Sequence, residues 1–97
     1  MRRAVVILEV SEEWIQSMAP AAHWLDFLIG YVNRGIGPRG MVATAYRDST
    51  GYVVTAIDVS EQWIHSMDTS YEWLGFLAGR VTRGIGAVGT VIDIYEV

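Results

Sequence analysis

Residues 4–48 lie over residues 53–97 at a constant offset of 49, with 21 identities in 45 positions and no gap. Self-similarity at a fixed spacing constrains architecture before any single residue does, because each unit must bury its apolar side against a neighbour. Val10-Ser11-Glu12 returns as Val59-Ser60-Glu61, and Trp14-Ile15 as Trp63-Ile64. Trp24-Leu25 and Phe27-Leu28 return as Trp73-Leu74 and Phe76-Leu77, and Arg34-Gly35-Ile36-Gly37 as Arg83-Gly84-Ile85-Gly86. The pattern reads as a tandem duplication, repeat one at 4–48 and repeat two at 53–97. With 97 residues, 52% of them apolar, the chain suits one domain around one core and has ample apolar surface to offset ordering entropy.

Each unit reads strand, helix, strand. Val5 to Val10 and Tyr52 to Val59 are short runs rich in β-branched residues. Ser11 and Ser60 follow as N-caps, with Glu12, Glu13 and Glu61 at the positive end of the next helix. Pro20 fits a first helical turn and not a helix interior, and Asp68 is a good cap near the matching place. The reading is therefore short helices at 12–18 and 61–67, and longer ones at 20–34 and 69–83. A stripe of Trp24, Phe27, Leu28, Tyr31 and Val32, repeated as Trp73, Phe76, Leu77 and Val81, should face the core. Gly35 and Gly84 stand where a left-handed C-terminal residue is wanted. Closing strands follow at 41–47 and 88–96, and Asp48-Ser49-Thr50-Gly51 makes the hairpin turn between the units.

The order is βαββαβ, the ferredoxin-like pattern of an α+β fold: a four-stranded antiparallel sheet with helices on one face. Alternation places Leu8, Val10, Ile57 and Val59 under the helices, with Ala43, Ala45, Ile92 and Ile94. The other face then carries Val5, Ile7, Val42, Tyr46, Val54, Ala56, Val91 and Tyr95, with Glu9, Thr44, Asp58 and Asp93 as its polar members. A solvated sheet face should be mostly polar. This one is apolar at its centre, so a partner is expected to cover it, most simply a second copy. Val5, Ile7, Tyr46, Val54, Val91 and Tyr95 are the residues expected to meet that partner, a protein or an apolar small molecule.

Composition narrows the functions. The net charge is −4 and the seven basic residues, all arginine, are scattered, so a basic footprint for nucleic acid is excluded. There is no cysteine, hence no disulfide, thiol nucleophile or thiolate metal site. No run approaches 18 apolar residues, and Arg2-Arg3 followed by Ala4 to Leu8 is too short for a signal peptide. No membrane association and a cytoplasmic location are the expectations.

No motif names a reaction. Gly35 to Gly40 and Gly84 to Gly89 both match GxGxxG, but the dinucleotide fingerprint needs a strand before the glycines and a helix after. Here the order is reversed, so capping and a tight loop explain them, with an anion site of Arg34, Arg39 and Arg83 as the weaker alternative. His23 and His65 are not shared between the repeats and have no ligand spacing around them; neither metal nor cofactor is expected. Glu9, Asp58 and Asp93 would gain acid–base character only if a dimer enclosed them and raised their pKa values. Trp14, Trp24, Trp63, Trp73, Met18 and Met67 recur at helical spacing and read as packing, or as a groove between short and long helices. The expected function is a non-catalytic, homodimeric interaction protein acting through the apolar sheet face or that groove. The alternative is a small cofactor-free enzyme of cyclase, isomerase or monooxygenase type, with a cavity between paired sheets for an aromatic or polyketide-like substrate. A ligand sensor with two matched sites is the third reading.

Overall fold

The computed structural model describes residues 2–18, 23–67 and 72–97. It begins with strand β1 (Arg2–Val10), then helices α1 (Glu12–Ser17) and α2 (Trp24–Ile36), a 3-10 turn over Gly37–Arg39, and strand β2 (Gly40–Arg47). The second half repeats this order: β3 (Val53–Val59), α3 (Glu61–Ser66), α4 (Trp73–Ile85), a 3-10 turn over Gly86–Val88, and β4 (Gly89–Glu96). The expected starts of the longer helices, Pro20 and the residues after Asp68, fall at or beside positions 19–22 and 68–71, outside the described residues.

The four strands form one open antiparallel sheet in the order β2-β3-β1-β4. Alternate residues of the two central strands, Ala4, Val6, Leu8 and Val10 of β1 with Val53, Ile57 and Val59 of β3, are buried. They meet Leu28, Val32 and Ile36 of α2 and Leu77, Val81 and Ile85 of α4 in a single cluster. Burying each such side chain stabilises the fold by about 1.5–3 kcal/mol before entropy is charged against it. Thr55, opposite Val6, is buried with them, and its hydroxyl donates to the Val6 carbonyl at 2.9 Å. That bond removes the desolvation cost of the one polar side chain buried among the described residues.

Capping fixes where the short helices begin. The Ser11 and Ser60 hydroxyls accept from the backbone N–H of Trp14 and Trp63, each at 3.2 Å. The turn at 48–51 closes as expected: Gly51 N–H donates to the Asp48 carbonyl at 3.1 Å, and Gly51 takes a φ of 92°.

Three expectations are corrected. Gly35 and Gly84 do not cap α2 and α4. They lie inside the helices where the two cross, and a β-carbon built on Gly35 would stand 2.9 Å from the Gly84 Cα. The positive φ belongs two residues on, to Gly37 (57°) and Gly86 (56°). Second, Val42 and Val91 belong to the core side and not to the open face. Each outer strand bulges once, so Ala43 and Ile92 are extra residues between Val42 and Thr44, and between Val91 and Asp93. A bulge resets the alternation, which turns Val42 toward Ile57 and Val91 toward Leu8 and leaves Ala43 and Ile92 exposed. Third, Phe27 and Phe76 are about half exposed, at 50% and 51%. The buried stripe runs Leu28, Val32, Ile36, and Phe27 lies about 100° round the helix from it.

Candidate functional site

The face of the sheet away from the core cluster is assembled from odd-numbered residues of β1 and even-numbered residues of β3. Val5 stands opposite Ala56, and Ile7 opposite Val54. Val5 is only 8% exposed, and Ile7, Val54 and Ala56 are partly buried. The outer strands add larger groups. Tyr46 of β2 pairs with Val54, and Tyr95 of β4 pairs with Val5; they are 53% and 44% exposed. Met41 and the bulged Ile92 extend the same apolar surface at the strand starts.

Of the residues expected to meet a partner, Val5, Ile7, Tyr46, Val54 and Tyr95 thus share this face, and Val91 does not. The two tyrosines sit 49 residues apart, each beside a central valine. Met41 was not singled out in the sequence, and Ile92 was expected under the helices but is exposed. The lost parity at the bulge hid Ile92, and Met41 lies one residue before the other break.

Charge is sparse here and partly cancelled. Arg3 lies opposite Asp58, and its Nε donates to the Asp58 carboxylate at 2.8 Å. That hydrogen bond, with the guanidinium's charge, lowers the Asp58 pKa from the usual carboxylate value. The direction is opposite to the one a general acid at neutral pH requires. Asp93 accepts from the Ile94 N–H at 2.9 Å, as a local backbone contact. Glu9 is exposed near the far end of β1, by the turn into α1.

The remaining candidates are dispersed. His23 precedes α2 with its Nδ1 3.7 Å from Asp26, both side chains about three-quarters exposed. His65 is exposed on α3. Among the described residues no three His, Asp or Glu side chains gather as a metal site. The helix tryptophans and Tyr31 pack inward. Trp14 meets Trp24 edge-on at 6.3 Å and Tyr31 at 6.1 Å, and all three lie against the core. Arg47 covers Trp24 at 5.6 Å, while Arg2 covers the buried Trp73 at 5.3 Å. The position matching Arg47 in the second half is Glu96, which cannot stack on a ring. Arg2 supplies the cation instead and forks onto Glu96 at 2.7 and 2.8 Å.

Each glycine of the GxGxxG spacing has a packing reason. Gly35 and Gly84 allow the helix crossing, Gly37 and Gly86 the positive φ, and Gly40 and Gly89 a close approach to the Asp58 and Glu9 carbonyls of the neighbouring strands. The phosphate-cradle geometry, a glycine loop leading into a helix, is not what this chain builds.

No described helix is long and apolar enough to cross a membrane. Family models, curated proteins and solved structures were all compared with the chain, and none of them matches it.

Proposed function

We propose that this chain is a non-catalytic interaction protein that works as a homodimer through the open face of its sheet. It does so on a ferredoxin-like plan derived by tandem duplication of one strand-helix-strand unit. The observation that carries the reading is the apolar centre of Val5, Ile7, Val54 and Ala56, with Tyr46 and Tyr95 standing beside it on the outer strands. A face wetted on that side is ordinarily polar, and exposed apolar surface of this kind marks an interaction site.

A second copy is the occupant that the face fits. Tyr46 beside Val54 and Tyr95 beside Val5 are one arrangement repeated across the β1–β3 pair, so a half-turn about the sheet normal brings one onto the other. A two-fold interface needs a surface that can meet itself. The Arg3–Asp58 pair is neutral as a whole, which leaves Glu9 and Asp93 as the carboxylates that two like faces must hold apart. Tyrosines are common anchors in such interfaces.

Native mass spectrometry of the purified protein tests this directly. The expected species is a dimer, and Ile7→Lys or Val54→Lys should convert it to a folded monomer. A wild-type monomer at micromolar concentration ends the proposal. A dimer that carries a small apolar molecule between its sheets would instead support the cofactor-free enzyme.

A further inference from the structure

The two 3-10 turns dock on opposite halves. Ser11 N–H donates to the Val88 carbonyl at 2.8 Å, and Ser60 N–H donates to the Arg39 carbonyl at 2.7 Å. Each turn therefore lies over the start of the other half's short helix. At the first junction Glu9, Ser11, Glu12 and Thr90 line a cleft, and the side chains behind them are apolar and aromatic. Val88, Trp14 and Tyr31 all pack against the core, and Arg34 lies over the Tyr31 ring at 5.1 Å.

The second junction holds different residues at the same places. Forty-nine residues from Val88, Tyr31, Trp14 and Arg34 stand Arg39, Arg80, Trp63 and Arg83. The tryptophan and one arginine are kept, while a valine and a tyrosine give way to two more arginines. Arg80 lies at the helix crossing, its carbonyl against Gly35, four residues before Arg39. The charge of Arg39 foremost, then burial and Arg83, lower the Arg80 guanidinium from its ordinary pKa. Three cations thus share one corner of a chain whose net charge is −4.

Arg2, Arg3 and Arg47 pair with Glu96, Asp58 and Glu12. No carboxylate among the described residues pairs with Arg39, Arg80 or Arg83, and Arg39 gives one N–H to the Ile36 carbonyl at 3.3 Å. Like charges held together without a counter-charge destabilise a fold, and an external anion relieves that cost. Arg39, but neither Arg80 nor Arg83, lines a cleft of about 340 Å³ together with Pro38, Ser60, Gln62 and Trp63.

We propose that this corner binds a phosphorylated small molecule, with Arg39 in the cleft holding the phosphate, Arg80 and Arg83 adding their positive charge to it, and Trp63 forming the wall for an apolar ring. Planar guanidinium groups match phosphate geometry. A phosphate monoester carries about −1.5 to −2 at neutral pH, which answers several cations better than a single carboxylate does. The site lies on the helix side of the sheet and stands independently of any dimer across the open face.

Isothermal titration calorimetry with phenyl phosphate, inorganic phosphate and sulfate at matched ionic strength tests the site. Wild type should bind phenyl phosphate saturably and more tightly than inorganic phosphate. Arg39→Val and Arg80→Tyr, which install the residues of the other junction, should each weaken binding about tenfold or more. The double variant should stay folded, melt at a higher temperature than ligand-free wild type, and give no saturable heat. Arg39→Gln with Arg80→Gln serves if that pair does not fold. Absence of saturable binding by wild type, or equal binding by wild type and double variant, overturns the proposal. Equal affinity for both phosphates overturns the role of Trp63.

Discussion

Gly35 and Gly84 touch where α2 and α4 cross, so that a β-carbon on either residue would stand 2.9 or 3.0 Å from the other's Cα and press on a backbone carbonyl. Backbone cannot swing aside as a long side chain can. Gly35→Ala or Gly84→Ala should therefore force the helices apart and destabilise the protein by about 1–3 kcal/mol, despite alanine's better helix propensity. Gly30 and Gly79 are the controls, since a β-carbon there meets nothing within 4 Å. Alanine at either should stabilise by about 0.5–1 kcal/mol. Urea denaturation of the four variants decides it, and a uniform sign across all four would contradict the crossing geometry.

Ser11 and Ser60 cap α1 and α3 in the same way, each accepting an N–H two or three residues into its helix. Replacing either with alanine should cost about 1 kcal/mol. The two serines occupy separate junctions, so their effects should add in the double variant. Thermal melts will show this as a drop of roughly 4–8 °C per kcal/mol for a domain of this size.

Acid should weaken the fold through two arginine-bound carboxylates. Arg3 lowers Asp58 and Arg2 lowers Glu96 from their usual values of 3.8 and 4.5. A carboxylate whose folded pKa is depressed contributes stability above its unfolded pKa and loses that contribution as pH falls through the folded value. The loss should thus begin near pH 4.5 and continue downward. Asp58→Asn with Glu96→Gln should flatten the acid limb of the urea midpoint against pH by lowering the neutral plateau toward the acid value. Both pairs are solvent-exposed, so the effect should shrink in high salt.

Tyr46 and Tyr95 offer a graded test of the sheet-face dimer. Each stands on an outer strand beside a central valine, and each is about half exposed in the single chain. Truncation to alanine should weaken dimerisation by about tenfold at either position, with comparable losses because the settings match. Phe27→Ala and Phe76→Ala, exposed to the same degree on the helices, should leave the dissociation constant unchanged. Sedimentation equilibrium measures all four.

Local chemistry was the legible part of the sequence. The strand-helix-strand order, the serine caps and the 48–51 turn each rest on residues whose preferences act over a few positions. The α2 crossing was not legible, because a glycine that permits contact and a glycine that permits positive φ look alike until a neighbour is placed. Gly35 and Gly37 exchanged roles for that reason. The bulges at Ala43 and Ile92 follow from how β2 and β4 meet their partners, and no residue type announces them. They moved Val91 out of the candidate face and Met41 and Ile92 into view. The arginine corner was visible in part: Arg39 and Arg83 stand in the anion site read from the sequence, and Arg80 was missed because the Gly37–Arg39 turn of one half completes a junction in the other.

The strand order β2-β3-β1-β4 has one more consequence. Each of its three pairings joins a strand from residues 2–47 to one from residues 53–96, and neither half contains a hydrogen-bonded pair of its own strands. A chain severed in the 48–51 turn would leave two fragments, neither able to build a ladder by itself. Mixed, they would recover the native structure through complementation, with a yield set by the concentration of both pieces.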